Sequence, residues 1–365
     1  MAEQDLIYLA ACAVNRETPD SERVAAMDLD ALYELAEKHM LAATVAPALQ
    51  AAGVQNTRFS KAFQHSVLKS STMDMEMEAL FAELEAAGIW YMPLKGVVLQ
   101  HLYPSYGMRQ MSDHDILFDA ERADELKSIM EGQGFHVKSF GENYNDAYVK
   151  PPVSNFEMHR ALFGARGRNQ QLYAYYQNVQ DRLLGDGFEK HFSPEDFYLY
   201  MIAHAYKHYL WRGTGLRSLL DTYVYLQKES PDLAFVTAEA EKLGMGEFEA
   251  ANRSLSLRLF SGEELTLADR EMLNYMMSSG VYGSLDHELE NQVKRFGHGK
   301  LRYTLTRFSV PFRKSNQKYA AFSKTYPLFY QHKLLLPLLP FYRVARSIKS
   351  GRLQAEAKAL KHTKR

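Results

Sequence analysis

The chain has 365 residues, of which 46% are apolar and 24% charged, so its composition excludes wholesale disorder. A formal net charge of −1 excludes a uniformly basic or acidic protein, and the single cysteine, Cys12, excludes an internal disulfide framework or a cysteine-based zinc cluster. We expect a cytoplasmic protein, because the acidic first residues lack a signal-peptide pattern and no apolar run is long enough to span a membrane.

Residues 1–88 are predicted to form an N-terminal helical region. Apolar residues at helical spacing predict one helix over 28–52, with a break or kink at Pro47, and a longer helix over 59–87 that Gly88 ends.

The pattern changes over residues 89–160, where we predict a compact core of strands and helices. Short apolar runs predict strands at 89–94, 113–118, 135–140 and 153–160, with a helix at 121–133. Residues 161–293 return to a helical pattern, with helices predicted from Ser193 onward and over 216–227, 232–258 and 263–280. The expected fold class is α+β, a small mixed β-sheet embedded in a mainly α-helical protein.

The pair Asp113-x-Asp115 carries the chemical prediction. Alternate residues of a strand share a face, so both carboxylates are expected on one side and His114 on the other. Two adjacent carboxylates repel unless a cation lies between them, and their oxygens suit Mg²⁺. Glu157, on the last predicted strand, would complete a two-metal site for phosphoryl-type transfer. Lys95-Gly96 supplies a turn and a cation for phosphate, and Arg109 supplies another.

These residues resemble a known family. Leu94-Lys95-Gly96, Tyr103-Pro104, Arg109, Asp113-x-Asp115 and Phe156-Glu157-Met158-His159 are similar to the uncharacterised nucleotidyltransferase family of the polymerase-beta-like superfamily. The likeness includes His204-Ala-x-x-x-His208 and Leu216-Arg217 with Asp221, and extends over about residues 28–345.

The resemblance implies Mg²⁺-dependent transfer of a nucleoside monophosphate from an NTP donor to an unidentified acceptor, with release of pyrophosphate. Asp113, Asp115 and Glu157 would be the catalytic, metal-binding carboxylates. The sequence departs from the family pattern at two places. Lys95-Gly96 stands where the superfamily usually has Gly-Ser to hold the triphosphate, and His114 stands where an aliphatic residue is usual.

Four further side chains have both a functional and a structural interpretation. His159 shares the predicted face of Glu157, where it either contacts the nucleotide or makes a structural hydrogen bond. Arg217 either contacts phosphate or pairs with Asp221 four residues later on the same helix. The His204 and His208 pair has a metal-binding spacing but lacks the glutamate of a zinc-protease motif, so a structural role is preferred.

Residues 294–365 form a basic, aromatic C-terminal segment with 18 lysines and arginines and one acidic residue. The preferred interpretation is a helical cap on the acidic remainder of the chain. Peripheral contact with an anionic membrane is second, and nucleic-acid binding is less favoured. A rival to the enzyme is a non-catalytic nucleotide-binding or scaffold protein that uses this basic segment to hold a membrane or partner.

Overall fold

A computed structural model describes residues 1–165, 170–283 and 325–349, together with 287, 291 and 323. The rest of the basic segment, residues 294–322 and 350–365, lies outside the described residues. Residues Met1–Lys207 and Gly215–Val281 form one compact unit, which contains most of the first three predicted segments; His208–Thr214 and Tyr282–Arg365 belong to a second.

Five helices precede the sheet, and the single helix predicted over 28–52 is divided into two of them; asparagine or aspartate caps start several of the five. They are α1 (Ala2–Asn15), α2 (Ser21–Ala25), α3 (Leu29–Lys38), α4 (Ala42–Ala51) and α5 (Thr57–Ala86). Of the break or kink predicted at Pro47, the break is not found, because Pro47 lies inside α4. The chain turns at Met40, whose φ of 53° is left-handed.

The sheet has five strands in the order β1-β2-β5-β4-β3. They are β1 (Tyr91–Pro93), β2 (His114–Phe118), β3 (His136–Ser139), β4 (Asn145–Lys150) and β5 (Ser154–His159), with α6 (Lys95–Leu99) and α7 (Ala123–Gly132) in the connections. Strands β2 and β5 are parallel, and the other neighbours are antiparallel. The mixed sheet confirms the α+β prediction, although β4 was not predicted.

One face of this sheet packs into the hydrophobic core. Ile116, Phe156 and Met158 are fully buried there, together with residues of α5 and α7. The alternation of strand side chains therefore leaves the odd-numbered residues of β2 and β5 on the opposite face.

Helices follow the sheet, and their first members come close to that opposite face. They are α8 (Gln170–Tyr175), α9 (Pro194–Trp211), α10 (Leu216–Lys228), α11 (Leu233–Lys242), α12 (Gly246–Ser261) and α13 (Leu267–Ser279). The helix predicted over 232–258 divides into α11 and α12 at Gly244, whose φ is 66°. Residue ranges Pro327–Gln331 and Leu339–Lys349 are also helical, and Phe341 and Tyr342 are exposed there.

Within the part of the chain that the structure describes, we find no helix with the length and apolar character needed to cross a bilayer.

Candidate metal centre

The register of the two parallel strands builds the site. Asp115 of β2 lies opposite Glu157 of β5, and Leu117 lies opposite His159. Asp115, Glu157 and His159 have ligand atoms that all lie within 4.8 Å of one another. His114 points to the other side, as predicted, where it is fully buried with its ring 5.2 Å from that of Phe156.

Hydrogen bonds hold the three side chains in this arrangement. His159 Nε2 lies 2.7 Å from Asp115 Oδ1 and 3.9 Å from Glu157 Oε2. The side chain of Asn145, on β4, donates to Glu157 Oε2 at 2.7 Å. Asp115 and His159 are buried, whereas about one third of the Glu157 side chain is exposed. Two carboxylates and an imidazole nitrogen form a donor set that can hold a divalent cation.

Lys95 forms a buried ion pair with this group. Its Nζ lies 2.8 Å from Asp115 Oδ1, the same oxygen that contacts His159. Burial would lower the pKa of Lys95, but Asp115 outweighs it and raises the pKa above its usual value. Burial would likewise raise the pKa of Asp115, but Lys95 and then His159 hold it far below its usual range. Both partners are therefore charged at neutral pH.

The backbone at Lys95 is left-handed, with a φ of 40°, which costs a residue other than glycine about 1–3 kcal/mol. The next residue is Gly96, where a Cβ atom would lie 2.6 Å from Arg109 Nη1 and 2.8 Å from Met111 Cε. Only glycine lets this turn lie so close to those side chains. The preceding Leu94 N–H donates to the carbonyl of Asp115 at 2.9 Å, which ties the turn to β2.

Arg109 lies directly behind the turn. Its Nε and Nη2 donate to the two oxygens of Asp221 at 2.8 and 2.9 Å, and Tyr103 Oη also donates to this carboxylate. Both Arg109 and Asp221 are buried. The pair joins the loop before β2 to α10, so this geometry gives Arg109 a positioning role behind the site. Its predicted contact with a nucleotide stays a prediction.

Arg217 does not supply the contacts to Asp221 that its spacing suggested, because Arg109 and Tyr103 hold that carboxylate. Its Nη1 donates to the carbonyl of Gln110 at 2.9 Å. Arg217 is nevertheless near enough to Asp113 to lower that residue's pKa. His204 and His208 are not members of the group of three ligands found among the described residues.

Asp113 lies beside the group but does not belong to it. Strand β2 begins at His114, so the alternation that aligns strand side chains does not extend to Asp113. Burial, and then repulsion from Asp115, raise the pKa of Asp113 to about 6, against the opposing effect of Lys95. The structure thus brings together Asp115 and Glu157 of the three predicted carboxylates, and adds His159.

Lys207 of α9 is a site residue that sequence reasoning missed. Its Nζ lies 3.4 Å from Tyr144 Oη, and the ring of Tyr144 lies 5.8 Å from that of His159. Burial, with a smaller effect of Lys95, lowers the pKa of Lys207 to about 8, while Asp115 and Glu157 oppose this shift. The buried hydroxyl of Tyr200, also on α9, has no hydrogen-bond partner among the residues that the structure describes. No motif marked these residues, since α9 is distant in sequence from the sheet.

Comparisons with known proteins identify the family of this chain. Residues 25–261 match a family model described as an uncharacterised nucleotidyltransferase, and the chain belongs to that family. The resemblance was predicted to extend to about residue 345, and the family model does not cover its last part, residues 262–345. Neither the curated proteins nor the solved structures contain a significant match.

The buried pair of Arg109 and Asp221 generates a stability prediction. Asp221→Ala leaves the arginine charge buried without its partner, so it should lower the free energy of unfolding by about 3–5 kcal/mol. As a control, Glu125→Ala removes a surface partner of Arg122 and should cost less than about 1 kcal/mol. Urea unfolding of both variants measures the difference. Equal losses in the two variants would contradict a structural role for the Arg109 pair.

The raised pKa of Asp113 generates a pH prediction. The folded state takes up a proton at about pH 6, whereas an unfolded aspartate does so near its ordinary value of 3.8. Stability from this group is therefore fully present below pH 3.8 and is lost as the pH rises through 6. In the absence of divalent ions, Asp113→Asn should stabilise the protein at pH 8 by on the order of 1–2 kcal/mol, and much less at pH 4.

Thermal unfolding at both pH values, beside the exposed control Glu121→Gln, tests this sign. A gain in stability that is the same at pH 4 and pH 8, or a loss at pH 8, would show that Asp113 carries no raised pKa.

Proposed function

We propose that this member of the uncharacterised nucleotidyltransferase family transfers a nucleoside monophosphate from an NTP to an acceptor hydroxyl and releases pyrophosphate, with Mg²⁺ as cofactor. The observation that carries the proposal is the convergence of Asp115, Glu157 and His159 at the pair of parallel strands, beside the charged Lys95. The family match supports the reaction class.

Asp115, Glu157 and His159 would hold the cation. When bound, Mg²⁺ withdraws charge from the α-phosphate and lowers the pKa of a coordinated acceptor oxygen. The acceptor oxygen forms a bond to the α-phosphorus while the bond from that phosphorus to the bridging oxygen of the β-phosphate breaks. The pyrophosphate leaves with the electron pair of the broken bond.

The remaining charged residues have separate roles in this proposal. Asp113, with a pKa of about 6, is ionised at neutral pH and takes the proton of the acceptor hydroxyl. Lys207 of α9 and Arg217 of α10 are near enough to the carboxylates to interact with them electrostatically, and they offset the charge that develops on pyrophosphate. Lys95 keeps Asp115 ionised and oriented.

A second candidate is a non-catalytic nucleotide-binding or scaffold protein. One observation favours it, namely that Asp115 Oδ1 already contacts both Lys95 Nζ and His159 Nε2. A carboxylate oxygen engaged by two donors has less capacity for a metal.

The exposed Phe341 and Tyr342 lie close in sequence to Arg343 and Arg346, and a basic aromatic helix of this kind would support peripheral contact with a membrane.

The two candidates differ in Mg²⁺ dependence and in bond cleavage. Each of the four NTPs is incubated with Mg²⁺, binding is measured by calorimetry, and released pyrophosphate is measured with water as the default acceptor. We expect one NTP to bind only with Mg²⁺, and Glu157→Gln to reduce pyrophosphate release at least about 100-fold. Glu125→Ala, which changes a surface carboxylate of α7, should release it at the wild-type rate.

Binding without any pyrophosphate release from the folded wild type would favour the non-catalytic candidate. A folded wild type that binds none of the four NTPs would contradict the enzyme and the nucleotide-binding form of the second candidate, and would leave the scaffold.

A further inference from the structure

The buried ion pair of Lys95 and Asp115 is an unusual feature for a site that is expected to bind two metal ions. We infer that the ammonium group of Lys95 occupies the place of one of the two ions, so that the site binds a single divalent cation. This inference rests on the proposed function and specifies how many metal ions that function uses.

The first argument is spatial. In a two-metal site the ions lie about 3.5–4 Å apart and share a carboxylate, each within about 2.1 Å of one of its oxygens. Asp115 Oδ1 already has two close partners, His159 Nε2 at 2.7 Å and Lys95 Nζ at 2.8 Å. A second ion bound to that oxygen would therefore have to displace the ammonium group.

The second argument is the number of ligands. Among the described residues, one group of three acidic or histidine side chains has ligand atoms close enough to share an ion, and it consists of Asp115, Glu157 and His159. Asp113, the residue predicted to help bind both ions, is outside it. The group that converges therefore has two carboxylates in place of the three predicted for two ions, and one or two carboxylates with water and substrate phosphates are the usual ligands of a single Mg²⁺.

Charge supplies the third argument. Asp113, Asp115 and Glu157 are three carboxylates on one side of the sheet, and the ammonium of Lys95 together with one divalent cation would balance them. A second divalent ion would leave excess positive charge beside a lysine that is largely buried. Lys207 and Arg217 provide further positive charge for a triphosphate without a second ion.

The fourth argument is that Lys95 is held in place. Its left-handed backbone, the packing of Gly96 against Arg109 and Met111, and the hydrogen bond from Leu94 to Asp115 all fix the turn from which the side chain extends. A surface lysine that contacts a carboxylate by chance has none of these supports. Lys95 is also the residue at which the sequence departs from the superfamily's Gly-Ser pattern, because it stands in the place of the glycine.

The test counts bound Mn²⁺, a paramagnetic substitute for Mg²⁺. Equilibrium dialysis and electron paramagnetic resonance are performed on the full chain with Mn²⁺ alone and with Mn²⁺ plus each of the four α,β-methylene NTP analogues. Asp115→Ala gives the background of ions bound elsewhere. The wild type should bind one Mn²⁺ more than this variant, with the spectrum of an isolated ion.

Lys95→Met removes the charge with little change in side-chain volume, and Lys95→Arg retains it. Lys95→Met should bind two Mn²⁺ above background and give the broadened spectrum of a coupled pair, whereas Lys95→Arg should bind one. Circular dichroism checks that each variant is folded. If Lys95→Met does not fold, the wild-type count and spectrum still decide the question.

Two Mn²⁺ above background in the wild type, with a coupled spectrum, would overturn the inference and leave the proposed function intact. The inference also fails if folded Lys95→Met binds one ion like the wild type. No Mn²⁺ above background in the wild type would contradict the metal-dependent function itself.

Discussion

The site depends on electrostatic repulsion at one face of the sheet. Parallel pairing of β2 and β5 places Asp115 directly opposite Glu157, and Asp113 lies close by, just before β2. Backbone geometry therefore holds three carboxylates near one another. Such a group is costly unless cations accompany it. Lys95 supplies one cation from within the chain, and the convergence of Asp115, Glu157 and His159 provides the place for another. The strained turn at Lys95, the contact with Gly96 and the Arg109–Asp221 pair all serve to keep that lysine in position.

Much of the sheet could be predicted from local sequence. So could the positions of Asp115 and Glu157, two of the three predicted carboxylates. The alternation along Asp113–Phe118 and Ser154–His159 correctly separates the buried Phe156 and Met158 from Glu157 and His159. The face of the sheet on which a strand residue lies is a local property, and the alternation of apolar side chains indicates it directly. Asp113 differs because the strand begins one residue later, and strand ends are set by pairing with a neighbour rather than by the residues themselves. Strand β4 carries mixed polar residues, so its pairing with β5 left no clear pattern in sequence.

Contacts between distant segments account for what the sequence did not predict. Arg109 and Asp221 are 112 residues apart, and nothing near either residue indicates that they pair. The spacing of Arg217 and Asp221 on one helix suggested a local ion pair, but the buried guanidinium of Arg109 donates to both oxygens of the carboxylate instead. Lys207 and Tyr200 reach the site because α9 packs near the sheet. Their sequence neighbourhood had drawn attention only through its two histidines, which are outside the group of three ligands among the described residues.

A crystal structure of the protein grown with Mn²⁺ tests the central claim most directly, because anomalous scattering locates the ion without reference to activity. The account predicts an anomalous peak bonded to Asp115, Glu157 and His159 at about 2.0–2.2 Å, with Lys95 still in contact with Asp115. Data from an Asp115→Ala crystal should lack this peak. A wild-type map without a peak at the three side chains, under conditions where Mn²⁺ binds elsewhere on the chain, would contradict the assignment of this group as the metal centre.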